Sequence, residues 1–206
     1  MNDTAASAEH GAGLRDDGDA EAPAVPASAM WLPGTALGCY EGDAQLRSWL
    51  LTPGLLTQRI RAAAGKDYRM HLLGEHTTPG GGHLREIAMA CGESTWLYAR
   101  TQVPAATLAA QPWLARIGTV SLGEAIAARG GVQRSDFAFA RLLADTGVVR
   151  RALEVAGLPP QALWVRRSTF RTGGDPATPL DFDLFEVFLP DIAAGTASAL
   201  AAAAPP

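Results

Sequence analysis

The strongest constraint on this fold lies near the end of the chain, in LWVRRSTFRTGGDPATPLDFDLFEVFLP (residues 163–190). The segment reads as a β-hairpin that closes on Leu-Phe-Glu-Val-Phe-Leu-Pro. Side chains alternate across a strand, so Glu186 shares a face with Phe182, Leu184 and Phe188, while Phe185, Val187 and Leu189 take the other. Both faces are apolar, and Glu186 has no wet side to turn towards. Burying an ionised carboxylate is costly unless it is paired or its pKa moves. An acid placed this way either closes a structural ion pair or does chemistry.

The rest of the chain sets the frame for that choice. With 206 residues, 48% of them hydrophobic, a single large core is affordable and one domain is expected. No apolar run approaches the roughly 20 residues a membrane helix needs, and the N-terminus lacks the basic and apolar regions of a secretory signal. The expected location is therefore cytoplasmic, with Cys39 and Cys91 as reduced thiols. Neither these two nor His10, His71, His76 and His83 are spaced as metal ligands, so no metal is expected. The net charge of −4 is unevenly placed: residues 1–22 hold six acids and one base, which leaves +1 for the remainder. With no basic stripe, nucleic acid is not an expected partner.

Composition divides the chain into an acidic, disordered tail (1–29), a folded domain (30–192) and an alanine-rich tail (193–206). Within the domain, 44–51 reads as a short helix, and Thr52-Pro53 as the N-cap and first position of a helix over 54–64 that stops at Gly65. Strands are expected at 66–73, 84–91 and 96–103, with TTPGGG (77–82) as a loop and 92–95 as a hairpin turn. Ser121 and Glu124 have capping-box spacing for a helix ending near Gly130. Residues 138–157 contain another helical region with Gly147 inside it. Adjacent strand pairs without a βαβ rhythm predict an α+β fold: an antiparallel sheet of about six strands with helices on one side.

Arg85, in LREIAMAC, shares a strand face with Ile87 and Met89 and is a natural partner for Glu186, while Glu86 points the other way. Arg85 can equally reach a sheet edge and snorkel. Arg100, Arg166 and Arg167 read as solvated strand residues, although adjacent arginines must face opposite ways, so at most one of Arg166 and Arg167 looks inward. Trp49, Trp96, Trp113 and Trp164 read as packing residues, and the PGGG run lacks the lysine and helix of a phosphate loop. One inward acid and one inward arginine fit a small carboxylate ligand without naming a reaction.

The same residues carry a family resemblance. WLLTPGLLTQRI, LREIAMACGESTWLYARTQVP, IGTVSLGEAI, LWVRRSTF and LFEVFLP, in this order, make the chain resemble the chorismate pyruvate-lyase family from about Trp49 to Pro190. The resemblance implies an antiparallel sheet with helical flaps over an internal ligand site. It implies a monomeric, cofactor-independent enzyme that converts chorismate to 4-hydroxybenzoate and pyruvate on the way to ubiquinone. By the same resemblance Arg85 grips the ring carboxylate, Glu186 faces the ring hydroxyl and assists proton transfer, and Leu56 and Leu122 offer backbone amides to the carboxylate. The chain departs from the family pattern by a longer segment between Asp136 and Trp164. The rival expectation is a non-catalytic carboxylate-binding domain of similar fold, like the effector domains of transcription regulators.

Overall fold

In the structure, a computed structural model, residues 25–38, 42–172 and 181–194 are described. Eight strands form one antiparallel sheet: β1 (Leu32–Pro33), β2 (Tyr68–Thr77), β3 (His83–Cys91), β4 (Ser94–Val103), β5 (Val132–Arg134), β6 (Ala138–Leu142), β7 (Leu163–Thr172) and β8 (Asp181–Phe188). Their order is β1-β6-β7-β8-β4-β3-β2, with β5 pairing with β7 beyond the end of β6. The helices are α1 (Gly34–Leu37), α2 (Ala44–Leu50), α3 (Leu56–Ala64), α4 (Ala105–Ala110), α5 (Leu122–Arg129) and α6 (Gly147–Ala156). Among the described residues no helix is long and apolar enough to cross a membrane.

The α+β class and the antiparallel sheet match the sequence expectation, with two strands more than the six foreseen. The strands not read from the sequence are β6 and two short pieces, β1 and β5, the last two too brief to show a period. The hairpins follow their turn chemistry. Gly92 and Glu93 join β3 to β4, and Gly92 takes φ +59°, which a residue with a Cβ adopts only under strain.

Both faces of the sheet are covered. On one, Ile87, Met89, Leu97 and Leu184 pack against Trp49 and Leu50 of α2, Ile60 of α3 and Ile126 of α5. On the other, Tyr98, Val165, Phe185 and Val187 pack against Val148, Val149, Ala152 and Leu153 of α6. The expectation of helices on one side therefore covers only the first face. The apolar second face demands a cover of its own, and α6 supplies it with four buried side chains, of which Val148, Val149 and Leu153 each stabilise by up to about 1.5–3 kcal/mol.

Two local expectations are corrected. Thr52 does not cap α3; its Oγ1 donates to Trp49 O at 2.7 Å and closes α2 instead. Gly54, at φ +69°, turns the chain before α3 begins at Leu56. Nor is 138–157 one helical region. Residues 138–142 pair with β7, the cross-strand contacts of Phe139 and Leu142 overriding the helix preference of alanine. Gly147 then opens α6, in the first turn rather than in a helix interior, where glycine would be destabilising. The capping box forms as expected: Ser121 Oγ accepts from Glu124 N at 3.2 Å and donates to its Oε2 at 2.7 Å.

Candidate active site

Arg85 and Glu186 stand on the same face of the sheet but do not touch. Arg85 on β3 lies opposite Thr101 of β4, and Glu186 on β8 lies opposite Ala99, two residues along the same central strand. Two strand spacings across and two residues along put their Cα atoms about 12 Å apart. Between them the floor is made of small or slim side chains, Ala99 and Thr101, flanked by Ile87 and Leu184. A small cavity of about 40 Å³ lies in this space.

The Arg85 end offers a guanidinium, paired on one side with Glu75, and the first backbone N–H groups of two helices. Arg85 is buried, with Nη2 donating to Gly118 O at 2.7 Å and Val120 O at 2.9 Å, and Nε 3.1 Å from Glu75 Oε1. Among the described residues its Nη1 makes no hydrogen bond. Burial lowers the pKa of Arg85, with Glu75 pulling it back upwards. The two carbonyls belong to the loop that leads into α5, so this arginine also pins that helix. α3 and α5 both begin over the cavity, with Leu56 and Leu122 as their first residues. The first N–H groups of a helix have no intrahelical partner and sit at the positive end of its dipole, which suits an anion. The two helix starts are in close contact: a Cβ on Gly123 would stand 2.5 Å from Leu55 Cδ2.

The Glu186 end is built from three ionised side chains. Arg166, directly across the hairpin, donates from Nε to Oε2 at 2.7 Å and from Nη2 to Oε1 at 3.0 Å. Its Nη1 donates to Leu50 O and Thr52 O, each at 3.2 Å. Arg134 of β5 adds a longer contact, Nη2 to Oε2 at 3.3 Å. Burial pushes the Glu186 carboxyl up, but the charge and hydrogen bonds of Arg166, then the charge of Arg134, outweigh it, and the net shift is downward. Glu186 is an anion at neutral pH and a hydrogen-bond acceptor, held ready by the guanidinium behind it.

All four sequence-selected residues, Arg85, Glu186, Leu56 and Leu122, line this one cavity. The direct Arg85–Glu186 pair does not form: Arg85 faces Glu75 and Glu186 faces Arg166. Reading Arg166 and Arg100 as solvated is also corrected. Arg166 is wholly buried, whereas Arg167, its neighbour on the other face, is part-exposed. Arg100 is buried under α6 and lies 3.9 Å from Glu86 Oε1, which also accepts from the Tyr98 hydroxyl. Sequence reasoning missed Arg134 and the inward role of Arg166. The register of the β7–β8 hairpin, had it been known, would have paired Arg166 with Glu186. Residues 1–24, 39–41 (Cys39 among them), 173–180 and 195–206 lie outside the described residues. Among those described, no group of three or more His, Cys, Asp or Glu side chains could hold a metal ion.

A family model described as chorismate lyase matches residues 25–192. A probable chorismate pyruvate-lyase of Coxiella burnetii is 31% identical over 162 residues, covering 71% of this chain and 86% of the relative. One from Ralstonia nicotianae is 34% identical over 164 residues, covering 70% and 81%. Among solved structures, the effector domain of PhnF from Mycobacterium smegmatis aligns over 68% of this chain and 91% of its own at 14% identity and a TM-score of 0.49.

Proposed function

The chain belongs to the chorismate lyase family, and on that premise we propose that its cavity converts chorismate to 4-hydroxybenzoate and pyruvate. The observation that carries this reading is the bipolar cavity. A cation and two helix N-termini stand at one end, and an arginine-backed carboxylate stands at the other. 4-Hydroxybenzoate has the complementary form, a carboxylate and a hydroxyl at opposite ends of a flat ring.

Chorismate carries an enolpyruvyl ether on the ring carbon next to the hydroxyl-bearing one. In the reaction the ring C–O bond to that ether breaks and the hydrogen on the hydroxyl-bearing carbon leaves. A new ring double bond completes the aromatic system, and the departing enolpyruvyl group gains the hydrogen at its methylene carbon to become pyruvate. No atoms or electrons enter from outside, so the conversion requires no redox cofactor. Aromatisation supplies the driving force, and the protein supplies orientation.

In this reading Arg85 and the Leu56 and Leu122 amides receive the ring carboxylate, as preorganised donors in a site with little water. Glu186 accepts a hydrogen bond from the ring hydroxyl and fixes the reacting carbon beneath the flap formed by α3 and α5. Its lowered pKa suits a fixed acceptor better than a strong base, so its share in proton transfer is the smaller part of its role. The product keeps both anchored groups, and its release through the flap limits turnover. We assign the product to ubiquinone synthesis and the protein to the cytoplasm, as a monomer.

Incubating the purified protein with chorismate tests this. Equimolar pyruvate and 4-hydroxybenzoate are expected. Binding of 4-hydroxybenzoate without pyruvate release would instead make the cavity a carboxylate-binding site of the same fold.

A further inference from the structure

We propose that Arg134 receives the second carboxylate of the substrate, the one on the enolpyruvyl side chain, and so distinguishes the dianionic substrate from the monoanionic product. The inference rests on the lyase reading above and adds a specificity residue to it.

The charges at the Glu186 end do not balance. Arg166 engages both oxygens of Glu186 at 2.7 and 3.0 Å and already neutralises it. Arg134 is a second guanidinium beside the same carboxylate, and it is held loosely there. Its Nη2 contact to Glu186 is 3.3 Å and its Nη1 contact to Gly54 O is 3.4 Å; only Nε, at 3.0 Å from Ser168 Oγ, is well bonded. Both terminal nitrogens can therefore re-aim without losing a strong bond. Burial lowers the pKa of Arg134, the Glu186 charge opposing that and the Arg166 charge adding to it. Such a group gains from a further anion.

Its position suits the second carboxylate. The enolpyruvyl ether sits on the carbon adjacent to the one whose hydroxyl faces Glu186, so its carboxylate must come to rest near a like charge. A cation is needed on that side of Glu186, and Arg134 is there. Arg166 cannot serve, being wholly buried behind Glu186 with its third nitrogen on the Leu50 and Thr52 carbonyls. The Arg134 side chain is 22% exposed and lines the cavity, with its guanidinium 4.3 Å from the Phe137 ring. Those surroundings limit competing water and favour a planar two-point pair with a carboxylate. Once pyruvate departs, Arg134 loses its ligand, and the ring product is held only at its carboxylate and hydroxyl.

The test compares two ligands that share a ring. Calorimetry measures the affinity of 4-hydroxybenzoate and of 4-hydroxybenzoate bearing a carboxymethoxy group at position 3, a stable dianion with its second carboxylate on an ether next to the hydroxyl. Arg134→Gln should weaken the dianion by about 10-fold or more, the usual scale of a charged hydrogen bond, while leaving 4-hydroxybenzoate nearly unchanged. Arg134→Lys keeps the charge but not the fork and should show a smaller drop confined to the dianion. That variant carries the comparison should Arg134→Gln fold poorly. With chorismate, KM should rise more than kcat falls. An equal loss for both ligands, or no loss for either, would overturn the assignment: the first makes Arg134 only a support for Glu186, the second an idle surface group. Absence of pyruvate from the unaltered protein would overturn the lyase reading separately, because the ligand comparison needs no turnover.

Discussion

Arg166 Nε and Nη2 hold the two oxygens of Glu186 at 2.7 and 3.0 Å, a two-point ion pair directly across the β7–β8 hairpin and shut away from water. It explains how an acid can sit in a strand with two apolar faces. The partner is the cross-strand neighbour, and the ligand cavity lies in front of the pair. The carboxylate is thus already satisfied in the free protein and still presents acceptor capacity to a ring hydroxyl.

Removing only Arg166 should be far worse than removing the pair. Arg166→Met leaves a buried carboxylate with one loose partner, for an expected loss of about 3–5 kcal/mol in denaturant unfolding. The double variant Arg166→Met, Glu186→Leu should recover much of that stability, yet show no lyase activity. If the double variant is no more stable than the single one, the pair is not the reason for the loss.

Glu186→Gln keeps shape and one acceptor oxygen but loses the charge. Turnover should fall by about 100-fold or more, the scale of losing one preorganised electrostatic contact to the reacting group. Near-normal turnover would leave Glu186 with a structural role alone.

The pH dependence has a definite sign. Because the folded pKa of Glu186 lies below its unfolded value, its stabilisation is fully present above the unfolded pKa of about 4.3 and disappears as pH falls through the folded one. Stability from this group should be flat from pH 6 to 8, as should its contribution to kcat/KM. An activity pKa near neutrality that disappears in Glu186→Gln would contradict the lowered pKa.

The fold was legible where side-chain period and turn chemistry agree. β3, β4, β8 and the capping box at Ser121 follow from alternation, Gly92 and local spacing. Thr52-Pro53 misled because a threonine hydroxyl can close one helix as readily as open the next. At the site, Arg85 and Glu186 were readable as inward charges, and their roles came from family resemblance. Their partners were not readable. Glu75 reaches Arg85 across β2–β3, and Arg134 comes from a three-residue strand with no periodic signal. Arg100 is buried only because α6 folds over the second face, which nothing in its own segment announces.

Arg85→Ala should weaken 4-hydroxybenzoate about 10- to 100-fold, the range for losing hydrogen bonds to a charged group. It also frees the Gly118 and Val120 carbonyls, so the flap should exchange backbone hydrogens faster. An unchanged affinity by calorimetry would place the carboxylate elsewhere.

Gly123→Ala probes the seam between the two helix starts. The new methyl would press on Leu55 Cδ2, the mobile end of a side chain, so the fold should survive while the flap sits less closely. Product dissociation in stopped-flow fluorescence should accelerate severalfold. An unchanged rate would mean that this seam does not control release.

The arrangement of the two poles is tested most directly by a crystal structure with 4-hydroxybenzoate bound. Its carboxylate should lie within hydrogen-bond distance, about 2.7–3.2 Å, of the Arg85 guanidinium and the Leu56 and Leu122 amides, with the hydroxyl at the same distance from Glu186. A ligand bound in the reverse sense, or outside the cavity beneath α3 and α5, would contradict it.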